Sequence, residues 1–361
     1  MKKKLLFICV IAAALFVWSC NEKSPVAPDF ANQSQTLDKR VHVPVGTVTS
    51  LLELPTGYSP EGIVIDKRGN MYISNTIGAD RGTNQILRVR RNGSYSVYTT
   101  LPGSGQARGL VAGKRGKIFV AFATSDPNTN GVYSIKRNGT PVRLRGSEGM
   151  LGPNALTFDA RGNLYCTDSD GGSVWKYGRN RRFVKWAEDL LLAGGIAPGG
   201  PPFPLPGANG IAFYPPNKLY VANTMQNSIN LIRIGHNGQA LGVESVKSDF
   251  LLMNVDGIAV DVHENIYAVL PPSTLGFLNA PPLPPLVMLN PNTGVVTPIV
   301  THEGAADFNT PTSLVFGTGG PWNRRSVFIA NAALQYGQPM EPWAAPGVVE
   351  VYVGKPGMPC K

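Results

Sequence analysis

A short unit returns six times along this chain and limits what it can fold into. Its first copy is Pro60-Glu61-Gly62-Ile63-Val64-Ile65-Asp66, then a turn at Lys67-Arg68-Gly69-Asn70, then Met71-Tyr72-Ile73-Ser74-Asn75. A polar residue and a glycine open an apolar strand. A basic, glycine-bearing turn reverses the chain, and a second strand runs to a polar end. The unit returns at Arg108-Gly109-Leu110, Asn154-Ala155-Leu156, Asn209-Gly210-Ile211, Asp256-Gly257-Ile258 and Thr312-Ser313-Leu314. The steps between leading residues are 47, 46, 55, 47 and 56. Six copies at this period describe one repeat architecture rather than several unrelated domains.

The first repeat holds four strand-like segments, at 62–66, 71–75, 85–90 and 95–100. Four antiparallel strands per repeat is the composition of a propeller blade. The second blade reads 109–113, 117–122, 131–136 and 141–145; the third 155–159, 163–168, 173–177 and 182–187; the fourth 210–214, 218–223, 228–234 and 241–248. The fifth keeps the pattern around an insertion at 271–285. The sixth has only three segments, at 313–317, 326–331 and 347–353, while a strand-like run at 45–54 has no partner before it. That run fills the vacancy. The expected fold is an all-β, six-bladed β-propeller over 45–361, with four antiparallel strands per blade and the last blade closed by the N-terminal strand. Closure removes the open edge of the ring. Gly (41) and Pro (31) make up about a fifth of the chain, which suits its many turns, and an apolar content of 43% leaves enough to build a core.

Residues 1–20 read as an export signal: Lys2-Lys3-Lys4, an apolar run from Leu5 to Val17, and Ser19-Cys20. The run is short for a membrane span. Its Ser-Cys end resembles a bacterial lipoprotein signal, which implies lipid attachment at Cys20 and a place at the outer membrane, in the periplasm or on the cell surface. Trp18 beside the site leaves ordinary secretion or an uncleaved anchor as alternatives. Residues 21–44 are polar and aperiodic, and read as a flexible tether. Cys166 stands where Ile73 and Val221 stand in other repeats and reads as a buried structural thiol; the spacing gives no support to a bond with Cys360. The formal charge of +10 falls to +7 (10 − 3) without the leader lysines.

Strand direction distributes that charge. If the leading residues start the innermost strands at the top, the first-to-second and third-to-fourth turns lie at the bottom. Those turns carry Lys67, Arg68, Arg90, Arg91, Lys114, Arg115, Lys136, Arg137, Arg161 and Arg179 to Arg182. No aromatic interleaving or recognition element accompanies them, so no nucleic-acid partner is expected. They form a solvated face, or one turned toward an anionic membrane, since the tether leaves from the bottom. The long connections at 194–207, 271–285 and 317–325 are expected at the top, with Phe203, Phe277 and Trp322 giving an apolar mouth for a small-molecule substrate. A monomer is expected.

In a propeller the leading residues converge on the central channel, here Glu61, Arg108, Asn154, Asn209, Asp256 and Thr312. Two carboxylates and two amides are hard oxygen donors of the kind Ca²⁺ takes, and four of them leave positions for water and substrate. Hydrogen bonding across the channel is the alternative reading. Arg108 is a candidate to bind an anionic substrate group or to pair with Glu61 or Asp256. A second ring, fourteen residues on, comprises Asn75, Phe122, Asp168, Asn223 and Leu270, with Asn331 displaced by an insertion. Asp168 and Asn223 are candidate substrate-binding residues at the pocket rim, or caps on the adjacent loops. Asp126-Pro127-Asn128-Thr129-Asn130-Gly131 imitates the start of a calcium loop but lacks its closing Glu, and reads as a turn.

Pro60-Glu61-Gly62-Ile63, Pro153-Asn154-Ala155-Leu156, Ala208-Asn209-Gly210-Ile211 and Val255-Asp256-Gly257-Ile258 resemble the gluconolactonase and senescence-marker-protein superfamily. Its members are six-bladed, calcium-dependent lactonases, with paraoxonases and diisopropyl-fluorophosphatase-like phosphotriesterases among them. The resemblance covers about residues 45–353. It implies that Glu61, Asn154, Asn209 and Asp256 hold one Ca²⁺ in the central channel, the presence of a second ion being left open, and that Asp256 is the nucleophile or general base. The implied activity is hydrolysis of an ester, lactone or phosphotriester. Gln106-Ala107-Arg108-Gly109-Leu110 replaces the Arg-x-Asn-Asp-Gly sequence usual in gluconolactonases, which removes support for sugar lactones. Paraoxonases use a histidine pair; here His42 lies in the tether and His236 and His263 in bottom turns, and His302 alone sits in a top connection, as a loop histidine or a base. Strictosidine-synthase-like proteins share the propeller, and a non-catalytic module of the NHL-repeat kind, binding a glycan or protein through its top loops, is the alternative function.

Overall fold

Twenty-four strands among the described residues form six antiparallel sheets of four. The structure is a computed structural model, and it describes residues 43–76, 84–90, 92–195, 205–271, 283–301, 307–333 and 345–358. The leader with Cys20, the tether as far as His42, and Arg91, Phe203, Phe277, His302 and Cys360 lie outside those residues.

Blade one consists of Pro60–Ile65, Met71–Asn75, Gln85–Val89 and Tyr95–Thr100. The next four blades follow in chain order, each with its strands side by side in sequence. Blade six combines Pro311–Phe316, Ser326–Asn331 and Gly347–Tyr352, and Val48–Glu53 completes it at the outer edge. There Val48 stands opposite Val351 and Glu53 opposite Gly347, antiparallel as the strand accounting requires. The two ends of the ring are thus joined by a backbone ladder.

A blade has a neighbour on each face, so its second strand is buried on both. Every residue of Met71–Asn75 and of Leu164–Asp168 is buried, and the apolar pattern there is nearly continuous rather than alternating. The core is a set of seams between blades. One seam joins Val64, Tyr72 and Ile86 of blade one to Leu110, Val120 and Phe122 of blade two. Another joins Ile63 and Ile73 to Phe328 and Val348 of blade six. Cys166 is a fully buried free thiol in the seam of blades two and three, and burial pushes it up.

In blades one to four and six the inner strands begin two or three residues before the sequence reading places them. The cause is a β-bulge at the top of each. In blade one Pro60 pairs with Asn75 and Ile63 with Ile73, so Glu61 and Gly62 together face Ser74 alone. The same irregularity recurs between Ala107 and Leu110, Pro153 and Leu156, Ala208 and Ile211, and Pro311 and Ser313. In blade five Asp256 N donates to Val269 O while Val269 N donates to Gly257 O, again two residues against one. A bulge bends the strand and re-aims a side chain; here it falls on every leading residue.

One connection lies on the opposite face from the one expected. Residues 317–325 join the first and second strands of blade six, as 66–70 do in blade one, and so belong to the bottom. Trp322 is buried there, its Nε1 donating to Gly69 O at 2.8 Å and its ring edge-on to Phe328. It is a core residue of the seam, not part of a substrate mouth. His236 is exposed at the turn between the third and fourth strands of blade four, and His263 lies in the first-to-second turn of blade five; both are on the bottom, as expected.

Candidate metal centre

Each leading residue is followed by a glycine or another small residue because neighbouring inner strands approach closely at the bulge. A Cβ on Gly62 would lie 2.5 Å from Arg108 O, and one on Gly109 2.6 Å from Asn154 O. Gly210 and Gly257 stand in the same relation to Asp256 O and Ser313 Cα, at 2.3 and 2.6 Å. The contact is a belt of hydrogen bonds. Ser74 Oγ accepts from Gly62 N and donates to Arg108 O; Thr167 Oγ1 accepts from Ala155 N and donates to Asn209 O. Thr312 Oγ1 turns to the blade one backbone at Glu61 O, 3.0 Å away. Its hydroxyl is spent on the belt.

The belt holds the remaining leading side chains at the channel. Asn154 and Asn209 are buried, and Glu61, Arg108 and Asp256 are half-buried. Asn154 Nδ2 donates to Asn209 Oδ1 at 2.8 Å and to Ser169 Oγ at 3.0 Å; Asn209 Nδ2 donates to Thr224 Oγ1 at 2.9 Å. Burial pushes the Glu61 carboxyl from its ordinary value of 4.5 up to about 7, with the Arg108 charge acting against it. Asp256 is pushed well above its ordinary value, first by burial and then by the Glu61 charge. The Asn209 side chain, which bonds to it, and Arg108 pull the other way. Arg108 itself is tied by Nε and a terminal nitrogen to Gln106 Oε1, at 3.1 and 2.7 Å, and acts on both carboxyls through space.

Two buried carboxyls, the charge of Glu61 raising Asp256, form a poor apo site and a good cation site, because a bound positive charge favours both ionised forms. The amides fit as well. Their nitrogens are engaged by hydroxyls, and among the described residues no donor reaches Asn154 Oδ1, so its oxygen is available to a hard ion. Among the described residues no group of three or more His, Cys, Asp or Glu comes together; the donors at the channel are the two acids and the two amides. That set suits Ca²⁺.

Asp168 and Asn223, candidates for a substrate rim or for loop caps, are buried and bonded to loop backbone. Asp168 accepts from the N–H groups of Leu151, Gly152 and Gly171. Asn223 donates to Leu191 O and Ala193 O and accepts from Gln226 N. Asn75 and Asn331 likewise take the backbone N–H of Ser59 and Asn309. The second ring caps the connections between blades, since an Asn or Asp at a strand end satisfies orphan backbone groups of the loop beside it. Asp126 caps its own turn through Asn128 N. The sequence reading passed over Ser169 and Thr224, which bond the two asparagines. Their signal is positional: each follows its asparagine by 15 residues.

No family model and no curated protein matches the chain. Solved structures do. Regucalcin from Agrobacterium tumefaciens, described as a calcium-binding protein, matches at 15% identity and TM-score 0.61, over 86% of this chain and 95% of that one. A gluconolactonase from Xanthomonas campestris matches at 14% and 0.58, over 86% and 89%. Virginiamycin B lyase from Staphylococcus aureus matches at 14% and 0.51, over 86% and 98%. Two of the three bear names from the superfamily that the Glu61, Asn154, Asn209 and Asp256 motifs resemble; the third shows that the same ring hosts other chemistry. At these identities the likeness establishes the fold, and this chain is a six-bladed β-propeller of the form shared by gluconolactonase and regucalcin.

Proposed function

We propose that this chain is an exported, calcium-dependent hydrolase of an ester, lactone or phosphotriester, acting as a monomer on a small molecule. The observation that carries the reading is the convergence of Glu61 and Asp256, both held above their ordinary values by burial, with the amides of Asn154 and Asn209 on one channel. The likeness to a gluconolactonase and to a calcium-binding regucalcin supports it. Ca²⁺ held by Glu61, Asn154, Asn209 and Asp256 would supply Lewis-acid polarisation of the substrate's electrophilic oxygen. Asp256 attacks the carbonyl carbon or phosphorus, the bond to the leaving oxygen breaks, and water then cleaves the acyl or phosphoryl group from the carboxylate; or Asp256 takes the proton of a water that displaces the leaving oxygen directly. Arg108, steadied by Gln106, binds an anionic group on the substrate.

Calorimetric titration of Ca²⁺ into wild type and Glu61→Gln tests the centre: binding by the first that the second loses is expected. Turnover of lactones, aryl esters and phosphotriesters by wild type, abolished in a folded Asp256→Asn variant, then tests the chemistry. Calcium binding without turnover of any of the three would reduce the ion to a structural bolt and leave a binding module. Lipid attachment at Cys20 belongs to the same reading; Cys20→Ala should abolish incorporation of labelled palmitate in a bacterial host.

A further inference from the structure

We infer that Ser169 and Thr224 are positioning residues that fix which end of each channel asparagine faces the ion. The inference rests on the calcium reading above and adds two residues to it. An asparagine is useful to a hard cation through its oxygen only, and its two ends are nearly equal in size, so something must decide between them. In blade three Asn154 Nδ2 meets Ser169 Oγ at 3.0 Å, and that hydroxyl is 2.7 Å from Ala208 O. In blade four Asn209 Nδ2 meets Thr224 Oγ1 at 2.9 Å, and that hydroxyl is 2.8 Å from Val255 O. A hydroxyl has one proton. In both blades a backbone carbonyl, which can only accept, takes it. The hydroxyl is therefore left as an acceptor toward the asparagine, and only the NH₂ end can face it.

The amide oxygens are turned away from the hydroxyls by this logic. Asn209 Oδ1 takes one N–H from Asn154 and keeps a second lone pair. The carbonyls that close each relay belong to Ala208 and Val255, the residues immediately before Asn209 and Asp256. Each hydroxyl thus orients the ligand of its own blade while holding the backbone that carries the next ligand. Neither Ser169 nor Thr224 reaches the ion; both act through a ligand.

The test is calcium titration by calorimetry on the full chain. Thr224→Val keeps the shape and removes both hydrogen bonds; Ser169→Ala does the same in blade three. Each is expected to weaken Ca²⁺ binding roughly tenfold or more, and Thr224→Ser is expected to restore it. A double-mutant cycle separates orientation from packing. Aspartate has an oxygen at both ends and needs no orienting, so Thr224→Val should cost little further affinity in an Asn209→Asp background. Wild-type binding with an equal loss from Thr224→Val in both backgrounds overturns the inference and spares the calcium reading, as does wild-type binding that neither Thr224→Val nor Ser169→Ala changes. Failure of wild type to bind Ca²⁺ overturns both. If Thr224→Val does not fold, Ser169→Ala with Asn154→Asp runs the same cycle in blade three.

Discussion

At Gly257 the nearest atoms to an added Cβ are the Cα of Ser313, at 2.6 Å, and the carbonyl oxygen of Thr312, at 2.9 Å. Both belong to the backbone of the neighbouring blade and cannot rotate aside, so Gly257→Ala must push two inner strands apart. The expected cost is about 1–3 kcal/mol in urea unfolding, the range of an overpacked core. Calcium affinity should fall too, because Asp256 precedes the glycine. Glu61 gives a second prediction at this scale. Its carboxyl titrates at about 7 in the fold and at 4.5 as an ordinary side chain. Between those values the unfolded chain has released the proton and the native chain keeps it, so stability from this group falls as pH rises from 4.5 to 7, and the full penalty stands above 7. Melting scans in chelator should therefore show this contribution as a loss of stability from pH 5 to 8. With saturating Ca²⁺ the slope should flatten, since the bound ion keeps Glu61 ionised in the native chain as it is in the unfolded one. Parallel slopes under the two conditions would rule out a cation at Glu61.

The strand Val48–Glu53 carries the closure of the ring, and none of it is deeply buried: its residues are half-buried or exposed. Its contribution is the ladder to Gly347–Tyr352, which it covers. A chain beginning at Leu54 is expected to melt at lower temperature and, with an edge strand bared, to associate in size-exclusion chromatography. A monomeric, equally stable truncation would contradict that role. This element was legible in the sequence because an incomplete sixth blade and an unpartnered first strand are two counts of the same vacancy. The bulges were not. Alternation records which residues are apolar, but an extra residue shows only as a polar–glycine pair at Glu61-Gly62 or Asn209-Gly210, which a plain strand start also contains. Loop length misled at 317–325, where parity of strand direction decides the face and length does not. For Asp168 and Asn223 the sequence shows a polar strand end, fit for a rim or a loop cap, without showing which way it points; the distant partners, Gly152 N for Asp168 and Leu191 O for Asn223, are brought there by the fold.

On the scale of the whole ring, the four candidate ligands come from blades one, three, four and five, so a bound ion ties together strands that share no single seam. That separates two effects of one substitution. In the metal-free protein Glu61→Gln removes a carboxyl that burial disfavours and that raises Asp256 beside it. The variant should then be more stable than wild type at pH 8 in chelator, because a neutral amide of the same shape avoids the cost of two buried charges. With Ca²⁺ the order should invert. Wild type gains about 2.7 kcal/mol when the ion is present at 100 times its dissociation constant, while the variant has lost a charged ligand and gains little. Denaturant melts of both proteins, with chelator and with calcium, form a four-point experiment whose signature is a crossing. A variant less stable than wild type in both conditions would make Glu61 a structural residue of the belt. A crossing would mean that the ring carries an electrostatic cost at its centre which only a cation removes, a cost that a propeller built solely to present loops has no reason to bear.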